Sequence, residues 1–264
     1  LCDRRQRQMC IRDRDPIDDA EEIRDELIKI LYGIWDHIKN TPGHNADNYA
    51  LDWVGFLPGK RESRRLKGKY VLTERDLSSC RNFADAVAYG GWDMDVHVAS
   101  GILSKESEAT VYHPVKDVYG IPYRCLYSVN VNNLFLAGRA ISVTHMAFGS
   151  TRVMGTCAVV GQAVGTAAAM AVDKKLLSCS ELEDSVSELQ QELLKDGCFI
   201  PGIQNEDNAD LAKKARVAAT SFKKEGKPQN VVNGAVRNRR GVCNAYISLS
   251  LIHISEPTRP EPIS

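Results

Sequence analysis

Apolar residues recur with helical spacing first at Ile23, Leu27, Ile30, Leu31, Ile34 and Ile38. That stripe predicts an amphipathic helix over residues 18–40, with acids in the first turn where the helix dipole favours them. TPGHN breaks it, and Ala46 to Phe56 reads as a second helix. RRLKGKYVLT has the pattern of a strand pair or extended hairpin. Thr73 with Asp76 three residues later fits an N-cap followed by a first-turn acid. Phe83 to Tyr89 reads as a short helix, and WDMDVHV alternates as a strand does. ATVYHP and IPYRCLYSV are further strand candidates in a region with several loops.

The next unit is sharper. NLFLAG (Asn133 to Gly138) predicts a short buried strand, Arg139 to Ser150 a loop, and about Thr151 to Lys175 a helix built largely from Gly, Ala, Val and Thr. A membrane span needs roughly 18 or more apolar residues with flanking anchors. Val153 to Val172 carries Gln162 and threonine and lacks Leu, Ile and Phe, so no membrane span is expected. Gly161 and Gly165 form a GxxxG, a spacing that lets a sheet or a cofactor approach a helix closely. The first turn of such a helix has unpaired N–H groups and a positive dipole end, which suits an anion. SELEDSVSELQQELLKDG is amphipathic, with Gly197 as its stop. After it the composition shifts to a linker and short β-type segments, which puts a domain boundary near residues 200–210.

The two ends change the composition. RRQRQMCIRDR (Arg4 to Arg14) and LSLIHISEPTR (Leu249 to Arg259) are what the two strands of transposase-adapter DNA from a sequencing library encode. Residues 1–14 and 249–264 are therefore expected to be non-biological, and the remainder a fragment of a longer reading frame. The ends hold six of the 34 Lys+Arg and four of the 34 Asp+Glu, leaving 28 against 30 and a net charge of −2. An apparent basic arm disappears with them, and no electrostatic footprint for nucleic acid remains. Six cysteines stay: Cys80, Cys125, Cys157, Cys179, Cys198 and Cys243. None has CxxC spacing or an accompanying His cluster, so zinc or iron–sulfur ligation is unsupported and scattered reduced thiols are expected.

NLFLAGRAISVTHMAFGSTRVMGTCAVVGQAVGTAAAMA resembles the C-terminal FAD-closing motif of a broad family of bacterial FAD-dependent oxidoreductases. GKRESRRLKGKYVLTERD, GGWDMDVH and YGIPYRCLYS resemble that family's central signatures, in the expected order over about Tyr32 to Asp210. The resemblance implies an α/β flavoprotein, mixed α+β, with an incomplete Rossmann-type FAD domain and a substrate-domain segment. Residues 15–128 would be the central, substrate-domain part and 129–200 the C-terminal part of the FAD domain. The family's GxGxxG, which cradles the pyrophosphate, is absent from this sequence. The tail AKKARVAATSFKKEGKPQNVVNGAVRNR resembles the opening of a discoidin-like β-sandwich, so residues 201–248 would be a linker and a truncated sandwich start. Iron–sulfur clusters occur in relatives but find no cysteine run here.

Carried onto this chain, the resemblance implies that Gly138 and Arg139 lie along the FAD ribityl and phosphates. Gly149, Ser150, Thr151 and Arg152 would present a helix N-terminus to the flavin, whose reduced form gains negative charge that a dipole and an arginine stabilise. Gly161 would allow close approach. His97 and His145 are the candidate proton carriers, since histidine titrates near neutrality. Arg64, with Arg61 and Arg65, would bind a carboxylate substrate or the cofactor. Asp93 and Asp95 would orient His97 or make turns. The expectation is hydride transfer between flavin and a small-molecule or carbohydrate-derived substrate, with acceptor and compartment open. The alternative is a non-catalytic carbohydrate-binding or adhesion protein retaining a degenerate flavoprotein fold.

Overall fold

The computed structural model describes residues 15, 17–57, 59, 64–97, 110–235, 237–238 and 242–249. Helix α1 (Ala20–Asn40) has Glu21 and Glu22 in its first turn and buries Ile23, Leu27 and Leu31. The helix expected over Ala46 to Phe56 does not form. The Lys39 ammonium donates to the carbonyls of Ala46, Asp47 and Tyr49 at 3.1, 2.7 and 2.9 Å. The chain wraps those carbonyls round one cation instead of aligning them for a helix ladder, and Asn45 turns it at φ 50°.

Residues 64–73 are extended, but not as a hairpin. Leu66 donates its N–H to the Ala140 carbonyl, Leu72 to that of Ser142, and Thr144 to that of Leu72. Leu72 and Val143 form a parallel bridge. Tyr70 N–H donates to Arg124 O on the other side, so the segment is held between two later stretches. Thr73 then caps α2 (Glu74–Ser78) in a full capping box with Asp76. The buried Asp76 carboxylate also accepts from Tyr70 Oη at 2.9 Å and from Arg81 at 3.0 Å.

Strand β1 (Ala86–Gly90) stands where a short helix was expected. Ala86, Val87 and Ala88 are all buried, so both faces are covered and no alternation marks a strand. β1 pairs antiparallel with β4 (Tyr119–Pro122), with Tyr89 opposite Gly120. The IPYRCLYSV segment leaves β4 at once for a 3-10 turn, Tyr123–Cys125. β2 (Met94–His97) pairs antiparallel with β3 (Thr110–His113), Asp95 opposite Tyr112 and His97 opposite Thr110. Among the described residues these two-stranded sheets are the only ladders.

NLFLAG was expected to be a buried strand. It makes a single bridge, Phe135 to Tyr127, with Leu136 buried and Leu134 exposed. The loop expected from Arg139 to Ser150 is ordered into a 3-10 turn (Gly138–Ala140) and α3 (His145–Thr151). Thr144 caps α3 by accepting from Ala147 N–H at 3.3 Å. A break at Arg152–Val153 separates it from α4 (Met154–Asp173). The amphipathic segment after α4 divides into a 3-10 stretch (Cys179–Ser185) and α5 (Val186–Lys195), with Gly197 at φ 83° beyond.

α4 and α5 pack against each other and against β1. Val160, Ala163 and Ala167 of α4 and Leu189 and Leu193 of α5 join Val87, Tyr119, Ile121, Tyr123, Leu136 and Phe148 in one core. Gln190, 4% exposed, donates to the carbonyls of Ala84 and Ala86 at 2.7 and 2.8 Å, so the polar group on this face is satisfied. No strand is present among the described residues 201–249. The β-type segments expected there are replaced by turns, with Lys223 N–H donating to Ile247 O at 2.8 Å.

Burial alone would raise the Asp76 pKa, but the hydrogen bonds from Thr73, Tyr70 and Arg81 outweigh it and hold the carboxyl below its ordinary value. A lowered folded-state pKa gives stability that is complete above the ordinary aspartate range and is lost as pH falls through the lowered value. Thr73→Ala should therefore cost about 1 kcal/mol near neutrality, and the gap to the unaltered protein should shrink in acid. Urea unfolding at both pH values checks this; a gap that does not change would count against it.

Candidate functional site

The polar residues singled out in the sequence fall into two groups. The first is built where α3 lies on β2. At Gly149 a Cβ would stand 2.7 Å from the Asp95 carbonyl oxygen and 3.1 Å from its nitrogen. Only a residue without a side chain allows that approach of helix to strand. One residue on, Ser150 is fully buried and donates its hydroxyl to Trp92 O, while accepting from Tyr119 Oη at 2.6 Å. Burial pushes the Tyr119 phenol up, against a smaller opposing effect of Ser150, so Tyr119 stays a neutral donor.

Arg152 completes the junction. Its guanidinium is 7% exposed and donates to the Asp95 carbonyl at 3.0 Å, with Asp95 Oδ2 at 3.4 Å. It also lies over the buried Phe148 ring, 5.7 Å from the centroid, and Arg65 approaches the same ring at 5.5 Å. His97 is on the same face of β2 as Asp95, two residues along. Its Nε2 is 3.9 Å from Asp95 Oδ1, and its Nδ1 is 3.0 Å from Thr110 Oγ1. Asp95 Oδ1 and Thr151 Oγ1 are buried without a hydrogen-bond partner among the described residues. Asp93 makes a turn, accepting from Val115 N–H at 2.8 Å.

The second group lies along α4. That helix buries Thr156, Val160, Ala163 and Ala167. Its opposite side, Met154, Gly155, Ala158, Gly161, Gly165, Ala169 and Val172, is exposed. A Cβ at Gly155, Gly161 or Gly165 would have nothing within 4 Å. Val153 at the N-cap supplies no side-chain acceptor, so the first N–H groups of α4 are left for another partner. Gly138, at φ 60°, and Arg139 lie in the 3-10 turn that packs on α4. Burial raises the Cys157 thiol, with the Arg139 charge opposing it. A cavity of about 640 Å³ opens on the flank of α4 between Tyr89, Val159, Gln162, Asp196, Phe199 and Arg237.

The structure thus gathers His97, Gly149, Ser150, Thr151 and Arg152 round Asp95, and Gly138, Arg139 and Gly161 round α4. Gly149, Ser150 and Thr151 end α3 rather than opening a helix, so the exposed N-terminus nearby is that of α4, at Met154. His145 is exposed on the first turn of α3, and Arg64 is exposed. Arg61 lies outside the described residues. Thr110, Tyr119 and the Trp92 carbonyl were missed, because a strand register and a backbone acceptor leave no mark in residue order. Among the described residues no three His, Cys, Asp or Glu side chains are grouped to hold a metal ion.

The two glycine sites should respond oppositely to alanine. Gly149→Ala forces a Cβ into the β2 backbone and should cost about 1–3 kcal/mol. Gly161→Ala adds a methyl facing open space in a helix and should gain about 0.5–1 kcal/mol. Denaturant midpoints of both variants test this; equal and opposite signs to those stated would contradict the packing described.

Searches against curated proteins and against solved structures return no match. A family model described as FAD dependent oxidoreductase matches residues 5–193, from before α1 to within the last turn of α5. The chain belongs to the FAD dependent oxidoreductase family.

Proposed function

We propose that the chain contributes the α4 side of an FAD site and that His97 handles the proton of the reaction. The observation that supports this most is the open face of α4. Gly161 and Gly165 stand one turn apart and Gly155 lies in the first turn, all three with nothing near their Cβ positions, on a helix whose opposite side is in the core. A water-exposed face does not need three glycines, each of which costs helix stability; a flat group lying close to the backbone does. The residues present therefore fit FAD. Gly155, Gly161 and Gly165 would hold its rings or ribityl chain near the backbone, and Gly138, Arg139 and the uncapped N–H groups of α4 would hold anionic parts.

Bound FAD supplies a hydride acceptor. The chain's own residues bind it, keep Arg152 fixed near developing negative charge, and move a proton through His97. His145, exposed on α3, is the second candidate for that proton. Substrates are proposed to be small molecules, carbohydrate-derived ones included. A Rossmann-type sheet and a discoidin-like C-terminal unit belong to the same proposal.

α4 is long and apolar enough to cross a membrane by length and composition, with mean hydropathy 1.4 over its best window. We read it as a helix with one side on the core, because Thr156, Val160, Ala163 and Ala167 are buried against the rest of the fold. The balanced charge of the chain supports no nucleic-acid partner.

Titrating the full chain with FAD and following flavin fluorescence tests the proposal. Binding should saturate, and Gly161→Leu should weaken it at least about tenfold, roughly 1.4 kcal/mol, with far-UV circular dichroism unchanged. No saturable binding, or equal affinity in the folded Gly161→Leu protein, would remove α4 from the site.

A further inference from the structure

We infer that Asp95 is a positioning residue that holds a proton on His97 Nε2, so that His97 exchanges protons through Nδ1 and the hydroxyl of Thr110. This rests on the reading that His97 moves the proton in the proposed reaction.

The two ring nitrogens face different chemistry. Nδ1 is 3.0 Å from Thr110 Oγ1, a group able to donate or accept. Nε2 faces Asp95 Oδ1 at 3.9 Å, and that oxygen is buried with no hydrogen-bond donor among the described residues. With the proton on Nδ1, the Nε2 lone pair would point at an unsatisfied carboxylate oxygen, two acceptors facing each other. With the proton on Nε2, the N–H points at Oδ1, and Thr110 donates to Nδ1. A buried acceptor left without a donor is costly, so the second arrangement is favoured. At 3.9 Å the contact is electrostatic, and a small ring rotation closes it to a hydrogen bond.

Asp95 cannot turn away to relieve this. Its other oxygen, Oδ2, is 3.4 Å from Arg152 Nη2, and its carbonyl accepts from the same nitrogen. Gly149 packs against its backbone. Arg152, just past α3, thus acts on the ring through Asp95, while β3 presents Thr110 to Nδ1. The ordering differs from a triad in which the carboxylate holds Nδ1 and leaves Nε2 to act. Here Nδ1 is the working atom. A proton arriving at Thr110 Oγ1 releases that hydroxyl's own proton to Nδ1, and the resulting imidazolium keeps Nε2–H against Asp95.

Long-range ¹H–¹⁵N spectra of the uniformly labelled full chain read the tautomer directly, with the His97 signals identified by their loss in His97→Asn. At a pH above the His97 titration, where one ring proton remains, the unaltered protein should show the Nε2–H form. Asp95→Asn and Thr110→Val, in folded protein, should each raise the share of the Nδ1–H form. A predominant Nδ1–H form in the unaltered protein would overturn the inference without any variant, and so would a ratio that neither substitution moves. None of these spectra needs flavin. Failure to bind FAD with the Nε2–H form present would sink the flavoprotein reading and leave the inference standing.

Discussion

The contact on which the site depends is the backbone of Gly149 lying against the backbone of Asp95. It brings the end of α3 within reach of β2, and every polar contact at the junction follows from it. Ser150 reaches Trp92 and Tyr119, and Arg152 reaches Asp95, with the helix end held close by a Gly149 that carries no Cβ. A side chain at 149 would push the helix outward by more than the tolerance of a hydrogen bond. The arginine would then lose its carbonyl and its carboxylate together. Tertiary packing thus fixes a charge arrangement that neither α3 nor β2 would hold alone.

α4 obeys a different constraint. One face is core, closed by Val160, Ala163 and Ala167, and the other is bare backbone at Gly155, Gly161 and Gly165. Stability would favour alanine at those three positions, so their use marks a place where close approach outweighs helix propensity. The break at Arg152–Val153 has a related effect. It lets α3 follow β2 while α4 follows β1, and it exposes the first turn of α4 next to the Gly138–Ala140 turn. A single continuous helix could not serve both strands.

Much of this was legible in residue order where one face of an element meets water. The α1 stripe, the Thr73–Asp76 cap and the alternation of β2 all became structure, and the two-residue spacing of Asp95 and His97 placed them on one face of that strand. β1 was misread because Ala86, Val87 and Ala88 are buried on both sides and show no period. The second helix failed on a contact of three carbonyls with Lys39, and α3 was hidden because Thr144 was not recognised as its cap. The site was half visible for the same reason. Its residues stood out by type, but the pairing of His97 with Thr110 and of Gly149 with Asp95 depends on register and packing, which periodicity does not encode.

The central claim is that α4 presents its open glycine face and first turn to FAD. Hydrogen exchange measured by mass spectrometry on the full chain, with and without saturating FAD, tests it most directly. The account predicts slowed exchange concentrated in residues 138–140 and 154–165, with the buried β1–β4 pair unchanged. Binding that protects other parts of the chain and leaves those two segments untouched would contradict it.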